Sequence, residues 1–247
     1  LSLSLARSLF HTHTLSLSLT LSLTHSLSGC THEDIQSYCA GAPQHDLLPR
    51  KEIAPGILMP IASVGHPDTN CSWKGDGPGC AIGQNMTEMW MRLGGRGIDT
   101  AADYGSHQAQ VGAAVREMVA QKVVTNRSDV FITTKISPDT CSSQAAVAAV
   151  RADLAQLGLD YVDLVLQHFP CDTEQENQAM WTGLMQAKAL GLTRSIGVSS
   201  FSVEQLQGIL TLNQAIPAVN QCQMAVGSHD DQTRAFCEQH GITSLLH

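Results

Sequence analysis

The chain has 247 residues, with 14 Lys+Arg against 22 Asp+Glu and a formal net charge of −8. At 43% hydrophobic and 15% charged residues it has the apolar mass for a packed core, which excludes global disorder. The acidic balance argues against a general nucleic-acid binder, and no apolar run approaches the roughly 20 residues of a membrane-spanning helix.

Residues 1–28 are mostly Leu, Ser, Thr and His, and Arg7 is their only charged side chain when His is neutral. The alternation of Leu with Ser and Thr over 15–24 has the period of a strand, but low-complexity repeats rarely encode one packed register. A signal peptide with Leu15–Leu27 as its apolar region, a disordered tail and an ill-defined start of the chain stay open as readings. The segment is set aside from fold reasoning. Residues 29–58 form a Cys- and Pro-containing N-terminal segment, and 59–247 read as one folded domain. The eight cysteines include no Cys-x-x-Cys pair, which weakens zinc-ribbon and thioredoxin-like readings. Cys30, Cys39, Cys71 and Cys80 form two equally spaced pairs and suggest disulfides in an oxidising compartment. Glycosylation sequons at Asn70, Asn85 and Asn126 point the same way, although Asn85 with Glu88 also reads as a helix N-cap box.

A hairpin is expected around Ala54-Pro-Gly-Ile57, followed by a short strand at Pro60–Gly65. A helix at about 85–95 ends at Gly94-Gly95, and Gly97–Ala101 is a second short strand. Helix 107–121 leads to Val130-Phe-Ile-Thr-Thr-Lys-Ile136, a β-branched run suited to a buried parallel strand. Val147, Val150, Leu154 and Leu157 then recur on one helical face, with Gly158 placed to end that helix. Strand 161–168, helix 174–190, strand 193–199, helix 203–212, strand 218–224, helix 231–239 and strand 242–247 complete the chain. Strict alternation of strands and helices means an α/β fold with a parallel sheet, either open and doubly wound or closed as a (β/α)8 barrel. No Gly-x-Gly-x-x-Gly lies between the first strand and helix. Polar groups instead stand at successive strand ends: Asp99, Lys135, His168, Ser199 and Gln221. In a TIM barrel these ends share one mouth, where active sites lie. The barrel is the better reading, with seven strands present.

Asp99, Tyr104, Lys135 and His168 suit one chemistry. A phenol with a reference pKa of about 10 transfers protons poorly near neutrality, and an adjacent ammonium favours its ionised form. A carboxylate would hold that ammonium, and an imidazole opposite would orient a carbonyl oxygen. Such a set protonates a developing alkoxide, while a hydride must come from a cofactor.

From about Met59 to His247 the sequence resembles the aldo-keto reductases in several separate blocks. Gly97-Ile-Asp-Thr-Ala-Ala-Asp-Tyr-Gly-Ser106 with Val111-Gly112 is similar to the family's first signature, which puts Asp99 and Tyr104 at its catalytic aspartate and tyrosine. Phe131-Ile-Thr-Thr-Lys135 resembles the block of the catalytic lysine, and Leu157–Leu164 with Gln167-His-Phe-Pro170 the second signature, with His168 on its histidine. Ile196-Gly-Val-Ser-Ser-Phe201 and Val219-Asn-Gln221 resemble the fifth- and sixth-strand blocks. The resemblance implies an NADPH-dependent reductase of small carbonyl substrates, with NADH as a possible substitute. Ser199, Ser200 and Gln221 would hold the nicotinamide carboxamide, and His247 would stack on the ring. Ser200 takes the place of the family's usual Asn, and His247 that of an aromatic residue. Phe169 stands where the family often has a Trp of the substrate pocket, consistent with an apolar carbonyl compound.

The family default is a cytoplasmic monomer without nucleic-acid or membrane partners; the N-terminal segment, cysteines and sequons suggest the secretory pathway instead. The sequence stops at strand seven, so the expectation is a C-terminally incomplete barrel from a complete enzyme. One rival is a catalytically impaired relative acting as a binding or regulatory subunit. Another is a barrel glycosidase using Asp99 and Asp139, which would leave Lys135 and Tyr104 without a role.

Overall fold

The computed structural model describes residues 48–65, 82–139, 141–223, 227 and 229–246. Residues 1–28, Cys30, Cys39, Asn70, Cys71, Cys80 and His247 lie outside the described residues.

The expected hairpin is present as β1 (Arg50–Ala54) and β2 (Ile57–Pro60), antiparallel, with Arg50 opposite Pro60. Gly56 adopts φ +74° in its turn and donates its N–H to Glu52 Oε1 at 2.8 Å. The boundary placed between residues 58 and 59 therefore falls inside β2. Pro60 ends the hairpin, so the first strand of the main sheet is shorter than expected, only β3 (Ser63–Val64).

The parallel sheet then runs β3, β4 (Gly97–Asp99), β5 (Phe131–Ile136), β6 (Val162–Gln167), β7 (Thr193–Ser199), β8 (Val219–Cys222) and β9 (Thr243–Leu246), in that spatial order. All six pairings between neighbours are parallel. Between them lie α1 (Ile82–Arg92), α2 (His107–Ala120), α3 (Ser143–Leu157), α4 (Glu174–Ala189), α5 (Val203–Leu210) and α6 (Asp231–Gln239). Seven strands in sequential order with helical crossovers are the expected curled sheet of a barrel.

The period of two along each strand decides what faces inward. Phe131, Leu164, Leu166 and Val219 pack inside against Ile53 and Met59, so the hairpin plugs the end of the sheet at which the strands begin. Ile98, Ile132, Ile136, Val165, Ile196 and Val198 point the other way and pack in the helix layer with Val111, Val150, Leu154, Trp181 and Leu206. Counting in steps of two from Phe131, Leu164 and Val219 puts Lys135, His168 and Gln221 on the inner side at the far ends of their strands.

Helix ends follow local chemistry. Thr173 caps α4 with a full capping box to Glu176, and Ser202 caps α5 the same way with Gln205. Gly158 closes α3 at φ +63°. Gly112 lets α2 meet the end of α3 closely: a Cβ there would lie 1.8 Å from the Leu157 carbonyl oxygen. The expected cap at Asn85 is not one, because helix α1 is already formed at Ile82, and Glu88 accepts from Gln84 Nε2 at 2.8 Å instead.

Between the sheet and the helices sits a buried polar group that the sequence reading passed over. Gln108 Nε2 donates to Asp153 Oδ1 at 3.1 Å, and Thr134 Oγ1 lies 2.7 Å from Gln108 Oε1 and 3.2 Å from Asp153 Oδ2. A hydroxyl has one proton. If Thr134 gives it to the nearer Gln108 oxygen, Asp153 satisfies Oδ2 by carrying a proton itself. Burial pushes the Asp153 carboxyl up to about 7, against the lowering effect of those hydrogen bonds. The folded chain thus binds this proton more tightly than the unfolded one, so stability falls as pH rises from about 4 to about 7. From pH 5 to pH 7 this single group is expected to remove about 2 kcal/mol. Asp153→Asn keeps both hydrogen-bonding atoms and abolishes that share of the slope. Urea unfolding at the two pH values tests it, and equal slopes in parent and variant would refute the assignment.

Candidate active site

The strand ends meet where parity placed them. Lys135 is buried at the end of β5, and its Nζ donates to Asp99 Oδ1, to the Thr100 carbonyl at 3.3 Å and to Tyr104 Oη at 3.3 Å. An ammonium has three protons, and each has an acceptor. Burial alone would lower the Lys135 pKa, but the charges of Asp99 and Tyr104 and their hydrogen bonds outweigh it, and the net direction is upward. Lys135 is therefore a fixed cation. Tyr104 ends a short 3-10 turn, Ala102–Tyr104, that follows β4. Its ring meets the His168 ring edge-on, with centroids 5.8 Å apart at 81°. Asp99, Tyr104, Lys135 and His168 thus form one cluster, as expected.

His168 follows β6 and donates its backbone N–H to the Ile136 carbonyl at 3.0 Å. Phe169 stacks on its imidazole at 4.2 Å and 17°, and is itself 56% exposed. The Phe169 ring gives the mouth an apolar wall beside His168. Cys141 and Cys171 form a disulfide between the loops after β5 and β6. Asn177 Oδ1 accepts from Gln167 Nε2 at 3.0 Å and from the Cys171 backbone at 2.8 Å. The loop carrying His168 and Phe169 is thus tied to the neighbouring loop and to α4. Neither that pairing nor the role of Asn177 was read from the sequence.

Ser199 and Gln221 are register partners at the ends of β7 and β8, both buried. Gln221 Nε2 donates to Asp99 Oδ2 at 2.8 Å, so one carboxylate bridges the lysine and this amide. The amide keeps Oε1 as an acceptor, and Ser199 supplies a hydroxyl that can donate. That pair of functions matches a primary carboxamide, so these residues fit the nicotinamide expected here. Ser200 takes φ +61° and donates its N–H to the Gln221 carbonyl at 2.8 Å. Asn tolerates this left-handed conformation better than Ser, which gives the expected Asn-to-Ser replacement a backbone cost. Asp139 is exposed, and Asp99 is committed to Lys135 and Gln221, which disfavours a paired-carboxylate glycosidase.

Comparison with known proteins agrees with this geometry. The profile of the Aldo/keto reductase family matches residues 83–245. The chain belongs to the aldo/keto reductase family. It is 42% identical over 154 residues to an aldo-keto reductase of Mycolicibacterium vanbaalenii, covering 62% of this chain and 53% of that one. It is 35% identical over 164 residues to the aldo-keto reductase AKR2E4 of Bombyx mori, covering 64% and 53%. The crystal structure of that silkworm aldo-keto reductase in complex with NADP superposes with a TM-score of 0.70 at 30% identity, covering 81% of this chain and 66% of the other. The chain spans about half the length of these two relatives. Solved aldo-keto reductases are (β/α)8 barrels, and the curled seven-stranded sheet is the corresponding part of that fold. Among the described residues no helix is long and apolar enough to cross a membrane.

Proposed function

We propose that the protein reduces aldehydes or ketones to alcohols with NADPH, Tyr104 being the proton donor. The observation that carries the reading is the Lys135 ammonium held between the Asp99 carboxylate and the Tyr104 hydroxyl at the mouth of the sheet. The cofactor supplies the hydride to the carbonyl carbon. Ser199 and Gln221, with Ser200 beside them, would hold its carboxamide; His247 is assigned to the ring by position alone. NADH is a second possible donor.

Lys135 donates to Tyr104 Oη, and in the proposed reaction the phenolic proton goes to the substrate oxygen. As that oxygen gains negative charge, Tyr104 gives up its proton and the ammonium stabilises the phenolate that remains. Asp99 keeps Lys135 charged and in place. His168 orients the carbonyl through a hydrogen bond, and Phe169 favours substrates with an apolar flank.

The test uses the full-length protein with 4-nitrobenzaldehyde and NADPH. Loss of NADPH absorbance matched mole for mole by 4-nitrobenzyl alcohol is the expected result. A folded protein that binds NADPH but forms no alcohol from any of a panel of aldehydes and ketones would favour the binding-subunit reading.

A further inference from the structure

The proposed reaction uses one nitrogen of the His168 ring and leaves the other to be explained. Nδ1 lies 2.8 Å from Asp103 Oδ2. Asp103 sits in the 3-10 turn one residue before Tyr104. The ring is pinned on its other sides by the Phe169 stack and the Tyr104 edge, so the Asp103 contact fixes which nitrogen remains for substrate. The His168 side chain is 9% exposed and that of Asp103 39%, so the carboxylate meets far more solvent than the imidazole does.

We propose that Asp103 is a positioning residue that keeps a proton on His168 Nδ1, so that Nε2 donates to a carbonyl oxygen only when the ring is doubly protonated. A carboxylate can only accept, and a neutral imidazole has a single N–H. With that hydrogen committed to Asp103, neutral His168 presents a lone pair at Nε2. A lone pair can receive the hydroxyl of an alcohol, but it has nothing to offer a carbonyl oxygen. His168 therefore selects carbonyl compounds when protonated and alcohols when neutral. The two directions of the reaction are thereby favoured on opposite sides of one titration. The substrate side of this inference rests on the reductase reading; the placement of the proton does not.

The charges around the ring set where that titration falls. Burial pulls the His168 pKa below the ordinary imidazole value, and Lys135 on β5 adds to the lowering. Asp103, by hydrogen bond and charge, and Asp99 on β4 act upward. Among the described residues Tyr104 also stands against the ring. Asp103 is thus the nearest group opposing the fall, and removing its charge must lower the midpoint further.

The experiment is long-range nitrogen-15 NMR of the histidines in the full-length protein across pH 4.5–8.5 (a range chosen about the reference imidazole pKa), with His168→Gln to assign the signal. In the parent, neutral His168 is expected as the Nδ1–H tautomer. In Asp103→Asn the midpoint should drop by about one pH unit, and the neutral ring should move toward the Nε2–H tautomer, since an amide can donate to Nδ1. Asp103→Glu, which keeps the charge, should stay near the parent. In parallel, kcat/KM for 4-nitrobenzaldehyde should fall with rising pH in the parent, and this His168-linked fall should flatten in Asp103→Asn. Near-UV circular dichroism of each variant establishes that its fold is that of the parent. A neutral His168 carrying its proton on Nε2 in the parent, or an unchanged midpoint in Asp103→Asn, would overturn the proposal. If the NMR behaves as expected but no aldehyde is reduced, the proton placement stands and the reductase reading fails.

Discussion

Tyr104→Phe in the full-length protein is expected to lower kcat for aldehyde reduction by roughly 10²–10⁴-fold while leaving NADPH affinity nearly unchanged. The substitution keeps the ring, and with it the edge-on contact to His168, and deletes only the hydroxyl on which Lys135 donates at 3.3 Å. The ammonium retains Asp99 and the Thr100 carbonyl, so the buried charge stays compensated and the fold should hold. On the proposed mechanism, what disappears is the proton that the new alkoxide must receive. Water can enter the gap left by the oxygen, but it is neither oriented nor activated by the cation to the same degree. Stopped-flow NADPH oxidation separates the chemical step from product release. A single-turnover rate within a factor of a few of the parent would remove Tyr104 from the mechanism.

Much of the fold was legible because parallel strands covered on both faces must be apolar and β-branched. Strand 193–199 and helix 231–239 stand where they were expected to the residue, and the central strands differ only at their ends. The site was legible for the same reason. Once Phe131 and Val219 are inside, two-residue steps bring Lys135 and Gln221 to the mouth, and no turn geometry intervenes. Reading failed where geometry is set by tertiary partners. β3 is only two residues long because Pro60 is claimed by the hairpin. Asn85 looked like a cap but lies inside α1.

Functional contacts made by loops were the least legible. Asp103 stands in a turn where strand parity gives no direction, so nothing in the sequence points its carboxylate at His168 rather than at solvent. The pairing of Cys141 with Cys171 joins residues 30 apart in a chain with eight cysteines, and connectivity does not follow from count or spacing. The resemblance assigns Gln221 to the cofactor, but its bond to Asp99 does not follow from the sequence. That bond makes the Asp99 carboxylate common to Lys135 and Gln221.

Replacing Asp163 by Ala is expected to cost about 3–5 kcal/mol of stability. Asp163 faces the helix layer from β6 and is fully buried. Its Oδ2 accepts from Arg127 Nη2 and from the Ile132 backbone N–H, both at 2.9 Å, and Oδ1 accepts from Arg194 Nη1 at 2.9 Å. The Arg194 side chain is 41% exposed, so its share is small and screened. The Ile132 N–H and Arg127 are different. A buried amide left without an acceptor costs about 1–3 kcal/mol, and an arginine that has lost its carboxylate costs more. Arg127 would keep the Val130 and Tyr161 carbonyls, at 2.6 and 3.2 Å, which limits the damage without restoring charge balance. Asp163→Asn retains an oxygen for Ile132 and should lose only about half as much. The bond to Ile132 also fixes the register between β5 and β6, the strands that bring Lys135 and His168 to the same mouth. Both variants, assayed well below their unfolding temperatures, should therefore show nearly parental kcat/KM if they keep that register. Urea unfolding of the two variants, followed by circular dichroism, measures the loss. A cost below about 1 kcal/mol for Ala would show that water or the carbonyl partners of Arg127 replace the carboxylate at little penalty, and equal costs for Ala and Asn would show that the oxygen kept for Ile132 contributes nothing.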